Sequence, residues 1–78
     1  MFKNQLQKIS KSSGVYFWLD NREKVLYVGR ATNLKNRLSQ YFLSNVEPKI
    51  KEMVSQAKKI KTIETKTLLE AIKVFVSM

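Results

Sequence analysis

Cysteine and histidine are both absent from the 78 residues of this chain. Without cysteine there is no disulfide framework, no thiol nucleophile and no cysteine-based zinc site. Without histidine, the commonest general base and the histidine-dependent catalytic triads are also excluded. Any proton transfer by this chain must therefore use tyrosine, lysine, a carboxylate or metal-bound water.

Acidic residues are scarce, with 6 Asp and Glu against 15 Lys and Arg, which gives a formal net charge of +9. Such an excess predicts a polyanionic partner, either nucleic acid or an anionic membrane surface. No apolar run approaches the ~20 residues that span a bilayer, and the polar start lacks a secretory signal pattern. We therefore expect a cytoplasmic protein that binds nucleic acid and not a membrane.

Glycine and proline are also rare, with two and one in the chain, and the length fits one domain over residues 1–78. Aromatic and β-branched residues predict a strand at 15–19, covered on both faces, and a second strand at 24–29 that completes a hairpin. Gly29 is expected to end the second strand and to let the backbone turn. Apolar spacing predicts a helix opened by Thr32 or Asn33 and another opened by Pro48.

A third strand is predicted at 60–65, and Thr67 and Glu70 have the spacing of a capping box for a last helix. The expected fold is therefore α+β, a small three-stranded antiparallel sheet flanked by helices, in the order (α)ββααβα. The short first helix is the least regular of these elements.

Tyrosine and arginine side chains are expected to converge at one end of the hairpin. Tyr16 and Tyr27 lie on its two strands, Arg30 follows the second strand, and Arg37 and Tyr41 lie on the next helix. A phenol can pass protons or orient water where histidine is missing. A guanidinium can bind phosphate through two hydrogen bonds.

These residues fall in short signatures that resemble the GIY-YIG nuclease family, over about residues 13–71. The closest branch is the N-terminal nuclease domain of an excinuclease that acts in nucleotide excision repair. The matching segments are Gly14-Val15-Tyr16, Tyr27-Val28-Gly29-Arg30-Ala31, Asn33-Leu34, Arg37-Leu38 and Tyr41-Phe42.

The resemblance implies a metal-dependent endonuclease that cuts a DNA phosphodiester, on the 3′ side of a lesion in the excision-repair branch. Tyr27 matches the tyrosine that helps to activate water, and Tyr16 matches a tyrosine that hydrogen-bonds within the site. Arg37 matches the arginine that stabilises charge on the phosphate, and Tyr41 matches a later tyrosine of the site. Arg30 lies where the family usually has lysine.

The resemblance also implies a single divalent cation, Mg²⁺ or Mn²⁺, held by a glutamate of the last helix. One alignment makes Glu70 that ligand, whereas the alignment without gaps in the preceding strand places the metal position at Phe75. The two positions point about 140° apart on a helix, so both cannot face one cation. Residues 72–78 depart from the family pattern and are expected to be diverged or truncated.

The expected partners are DNA, contacted by Arg30, Lys35 and Arg37, and other excision-repair subunits. The remaining lysines are expected to form a solvated face that can also touch phosphates. Two alternatives to an active nuclease remain open at this point. One is a catalytically impaired basic DNA-binding module that kept the fold, and the other is a protein-interaction domain with incidental charge.

Overall fold

A three-stranded antiparallel sheet forms the centre of the computed structural model, which describes residues 2–77. The order of elements confirms the predicted (α)ββααβα arrangement, with a 3₁₀ turn added at Gln40–Phe42. The strands are β1 (Ser13–Leu19), β2 (Val25–Ala31) and β3 (Lys59–Thr65), and the helices are α1 (Lys3–Gln7), α2 (Leu34–Ser39), α3 (Pro48–Gln56) and α4 (Leu68–Val76).

Strand β1 lies between β2 and β3, as its apolar run predicts. Because successive side chains of a strand point to opposite faces, the pairing register divides the sheet into two faces. Tyr16 pairs with Gly29 and Trp18 with Tyr27, and we call their side the tyrosine face. Val15, which pairs with Arg30, lies on the opposite side, which we call the α4 face.

The main hydrophobic core lies on the tyrosine face. Trp18, Leu34 and Leu38 are completely buried there, and the ring of Phe2 meets that of Trp18 edge to face at a centroid distance of 5.3 Å. Aromatic pairs of this geometry add about 0.5–1.5 kcal/mol to the free energy gained from burial alone. The helices α1, α2 and α3 supply the apolar side chains that cover this face.

Helix α2 begins at an Asn33 cap, which decides between the two predicted caps. The Oδ1 atom of Asn33 accepts a hydrogen bond of 3.0 Å from the backbone N–H of Asn36. The helix ends at Ser39, and the chain tightens into the 3₁₀ turn, so the expected continuous apolar stripe is broken. Tyr41 stays buried, whereas Phe42 is left 44% exposed.

Helix α4 packs on the α4 face through Ala71, which is completely buried. The predicted cap is confirmed, because Thr67 Oγ1 accepts a hydrogen bond of 3.2 Å from the N–H of Glu70. The Glu70 carboxylate in turn accepts from the backbone N–H of Lys66 at 3.1 Å. Among the helices of residues 2–77, none has the length and apolar character needed to cross a membrane.

Candidate active site

Three tyrosines meet on the tyrosine face of the sheet. The hydroxyls of Tyr16 and Tyr41 share a hydrogen bond of 2.6 Å, and both side chains are buried, with 1% and 9% of their surfaces exposed. The ring of Tyr27 lies 6.4 Å from each of the other two rings, and 39% of its surface is exposed. Of the three phenols, Tyr27 is therefore the one that a ligand in solvent can reach most easily.

Gly29 makes room for this cluster, and here the sequence-based expectation was wrong. The strand continues through Gly29 to Ala31, and the residue does not have a positive φ. A Cβ atom at this position would lie 2.3 Å from both Cζ and Oη of Tyr16. The glycine is required because the phenol of its cross-strand partner lies directly over its Cα.

A cleft of about 290 Å³ opens beside Tyr27 and Tyr41. Arg37 and Gln40 form one wall, and Val46, Glu47 and Ile50 close the other side. Helix α2 places Arg37 here because the residue lies three positions after Leu34 and its side chain leaves the helix beside the buried stripe. The cleft thus brings one accessible phenol, one buried phenol and one guanidinium to the same concave surface.

Arg37 is held at the cleft by two neighbours. Its Nη1 atom donates a hydrogen bond of 3.3 Å to Oε1 of Gln40, one helical turn further along. Its interaction with the Tyr16 side chain, the largest of several causes, raises the pKa of the Arg37 guanidinium above its ordinary value. Arg37 is therefore a permanent positive charge in the cleft.

Tyr41 is held in its neutral form. Burial, together with the hydrogen bond to Tyr16, raises the pKa of Tyr41 well above the ordinary value of 10.0, and the charge of Arg37 offsets only part of this shift. A phenol with such a pKa does not act as a base near neutral pH. Tyr41 and the fully buried Tyr16 therefore position the site, and Tyr27 remains the candidate for contact with a substrate.

Arg30 does not join the tyrosines, contrary to the expected convergence of all five side chains. Its register places it on the α4 face, and its guanidinium lies over the ring of Phe75, with 5.2 Å between Cζ and the ring centroid. Because β2 is an edge strand, however, Arg30 still lines a second cleft together with Arg37. The two guanidiniums therefore border one cleft from opposite faces of the sheet.

The side chains of α4 do not form a carboxylate site for a divalent cation. Glu70 is the one carboxylate of this helix, and it is engaged as a cap by the N–H of Lys66. Phe75, the alternative metal position, offers Arg30 an aromatic ring and no oxygen ligand. Across residues 2–77, no three His, Cys, Asp or Glu side chains come together as a metal-binding group.

Gln40 and Glu47 are cleft residues that the sequence did not predict. The spacing of Arg37 and Gln40, three residues apart on one helix, was a signal for their contact. Glu47 lies in a segment that was interpreted only as a loop, and it reaches the cleft because Pro48 begins α3 immediately after it. Only the packing of α3 beside the 3₁₀ turn reveals this position.

The antiparallel sheet, the buried Tyr16 above Gly29 and the Tyr27–Arg37 cleft define a domain of the GIY-YIG class. Residues 12–76 match the family model described as the UvrC-like GIY-YIG domain. The chain therefore belongs to the UvrC-like GIY-YIG domain family, which confirms the resemblance inferred from its short motifs.

Known relatives agree with this assignment. The UvrABC system protein C of Treponema denticola is 50% identical over 62 residues, which cover 80% of this chain and 10% of that protein. The UvrABC system protein C of Acetivibrio thermocellus is 43% identical over 72 residues, which cover 90% of this chain and 12% of that protein. The chain thus spans about a tenth of the length of these curated relatives.

The fold also matches a solved structure, the GIY-YIG N-terminal endonuclease domain of UvrC from Thermotoga maritima. The TM-score is 0.85 at 24% identity, and the match covers 97% of this chain and 83% of the other. That crystal structure is bound to its catalytic divalent cation, magnesium. At this level of identity the likeness establishes the shared fold.

Proposed function

We propose that this chain is the endonuclease domain of a UvrC-like excinuclease and hydrolyses a phosphodiester of DNA. The observation that supports this most directly is the cleft in which the accessible Tyr27 phenol and the permanently charged Arg37 lie together. In this proposal Tyr27 contacts the attacking water and Arg37 contacts the phosphate. Incision next to a lesion, with other excision-repair subunits as partners in the cytoplasm, follows from the names and roles of the relatives.

The chemistry assigns a separate task to each side chain. As water attacks phosphorus, one P–O bond forms, the P–O bond to the leaving oxygen breaks, and negative charge develops on the phosphoryl oxygens. Arg37 offsets that charge through charge-assisted hydrogen bonds. Tyr27 orients the water and helps to pass on its proton, and Tyr16 and Tyr41 hold the ring of Tyr27 in place.

The family cofactor is a divalent cation, which in phosphodiester hydrolysis polarises the phosphate and supplies hydroxide near neutral pH. The α4 helix of this chain lacks a free carboxylate for it, as described above. We therefore expect slow cleavage by the chain as it stands, supported by Mg²⁺ or Mn²⁺. The steps assigned here to Tyr27 and Arg37 do not depend on where the cation lies.

Cleavage of a labelled duplex that contains an unpaired bubble tests the proposal, with Mg²⁺, with Mn²⁺ and with chelator. Tyr27→Phe and Arg37→Ala should each reduce the rate by roughly a hundredfold, the scale expected for loss of a proton-transfer group or a charge-stabilising donor. Arg22→Ala is the matched control, because Arg22 is an exposed arginine in the turn at the other end of the hairpin.

Two results would contradict the proposal. Near-normal cutting by either site variant would show that the chemistry occurs elsewhere. DNA binding by the wild-type chain without cutting, with either metal, would instead favour the catalytically impaired DNA-binding module.

A further inference from the structure

Two further clefts continue from the active-site cleft along the exposed side of α2. The active-site cleft shares Arg37 and Gln40 with a second cleft of about 350 Å³. The second shares Asn33 and Asn36 with a third, of about 340 Å³, which Lys11 also lines. The three clefts form one continuous groove, here called the α2 groove, which runs from Glu47 to Lys11.

The charged side chains of the α2 groove are nearly all basic. From the active-site end, they are Arg37, Arg30, Lys35 and Lys11, and Glu47 is the single acidic residue, at the far side of the active-site cleft. Amide and hydroxyl side chains fill the spaces between these cations. Cations separated by neutral hydrogen-bonding groups suit a ligand that repeats its negative charge, as a nucleic-acid backbone does.

Backbone hydrogen bonds fix Lys11 beside α2. The N–H of Leu34 donates to the carbonyl of Ser12 at 2.9 Å, and the N–H of Lys35 donates to the carbonyl of Ser10 at 3.1 Å. These two bonds use N–H groups of the first helical turn, so any anion in the groove must be bound by side chains. They also join Lys11 and Lys35, which are distant in sequence, into one wall of the third cleft.

We propose that the α2 groove binds the sugar–phosphate backbone of a DNA strand and leads it to the active-site cleft, with the Lys11 end holding phosphates away from the scissile bond. The inference rests on the proposed function and extends it from the reacting phosphate to the neighbouring ones. Charge complementarity supports the DNA backbone as occupant, because four basic side chains line one groove of a chain that has a net charge of +9. Binding by phosphate contacts alone is independent of base sequence.

Fluorescence anisotropy with a labelled single-stranded oligonucleotide of mixed sequence, titrated at several salt concentrations, tests the groove. The double variant Lys11→Ala/Lys35→Ala should weaken binding on the order of tenfold, and the slope of log affinity against log salt should become shallower by about 2, or about 1 for each lost phosphate contact. The matched control is Lys24→Ala/Lys58→Ala, which removes two exposed lysines at the opposite end of the sheet.

A second pair of variants changes charge without shortening a side chain. Asn36→Asp places a carboxylate in the groove, whereas Asn21→Asp places one in the exposed hairpin turn. Asn36→Asp should weaken binding strongly, and Asn21→Asp should change it by less than about twofold, because salt screens distant exposed charges. Circular dichroism should show the same fold for all four variants.

Equal losses in the groove variants and their controls would overturn the inference, since binding would then follow overall charge and not the groove. The proposed function fails in a different way. Groove-dependent binding by a wild-type chain that does not cut would refute the nuclease and leave the groove intact. Cutting that is insensitive to Lys11→Ala/Lys35→Ala would refute the groove and leave the nuclease intact.

Discussion

Gly29 illustrates how one residue couples the sheet to the site. An added methyl group would overlap the Tyr16 phenol, whose hydroxyl is already bound to Tyr41. A buried ring that is hydrogen-bonded on one side and covered by strand β2 on the other has little room to move. The small residue at position 29 is therefore part of the positioning of the tyrosine cluster.

Gly29→Ala should lower the free energy of unfolding by about 1–3 kcal/mol, the usual cost of overpacking a filled core. Urea unfolding followed by circular dichroism measures this change. Val28→Thr is the control, because Val28 lies on the other face of the strand, is only partly buried and should stay within about 0.5 kcal/mol of the wild type. Wild-type stability of Gly29→Ala would contradict the assigned role.

Phe75 is the residue at which this chain departs most from the chemistry its family implies. Phe75→Glu would place a carboxylate beside Arg30 and give a hard cation the oxygen ligand it prefers. We expect the variant to bind Mn²⁺ measurably in calorimetry and to cut DNA faster than the wild type with Mg²⁺ or Mn²⁺. Phe75→Gln, which has the same shape without the charge, should do neither.

If Phe75→Glu neither binds Mn²⁺ nor cuts faster, the metal position does not lie at residue 75. The alternative position is then Glu70. The two glutamates are distinguished by the variants of the α4 cap, because Glu70 has a separate structural task there.

At the scale of the elements, the cap of α4 explains why Glu70 is present without a catalytic role. Thr67→Ala removes an N-cap and should cost about 1 kcal/mol of unfolding free energy. Glu70→Ala should cost a similar amount, while Glu70→Gln keeps an oxygen acceptor for Lys66 and should cost less. Thermal unfolding measures all three.

The same Glu70 variants test the metal assignment. Both should leave the rate of DNA cleavage close to that of the wild type. Robust wild-type cutting that Glu70→Ala abolishes and Glu70→Gln fails to restore would make Glu70 the cation ligand.

Helix α2 shows what element-level patterns miss. The spacing of Leu34, Leu38 and Tyr41 correctly predicted a buried stripe. The same pattern continued the helix through Phe42, although the chain forms a 3₁₀ turn from Gln40. That turn brings Tyr41 to Tyr16, and it leaves the segment before α3 free to bring Glu47 to the cleft. These are tertiary contacts that have no counterpart in hydrophobic periodicity.

At the scale of the whole molecule, the buried tyrosine pair predicts an alkaline limit to stability. The pKa of Tyr41 is raised in the folded state, so its contribution is fully present below the ordinary phenol value near 10 and is lost as the pH rises above it. The unfolded chain ionises this phenol and the folded chain does not, which costs up to about 1.4 kcal/mol per pH unit from this one group.

Unfolding free energies measured from pH 8 to pH 11 test this prediction. Tyr41→Phe should flatten the alkaline decline, although it loses the Tyr16 hydrogen bond and is less stable at pH 8. Tyr27→Phe, which changes the exposed tyrosine, should keep a decline as steep as that of the wild type. An equally steep decline in Tyr41→Phe would show that the buried pair is not the cause.

The sequence alone determined the class of this protein. Its strand and helix signals, its basic excess and its short motifs depend on local spacing and composition, which can be read without coordinates. The motifs also identified Tyr16, Tyr27, Arg37 and Tyr41 as a group, and the structure brings these four together.

Only the tertiary structure decided which side of the sheet each residue serves. Arg30 follows Gly29 directly, yet the alternation of side chains sends it to the α4 face and onto Phe75. The purpose of Gly29, the Glu47 wall of the cleft and the meeting of Lys11 with Lys35 all depend on contacts between segments distant along the chain. Such contacts are set by packing and strand register, which local sequence patterns do not encode.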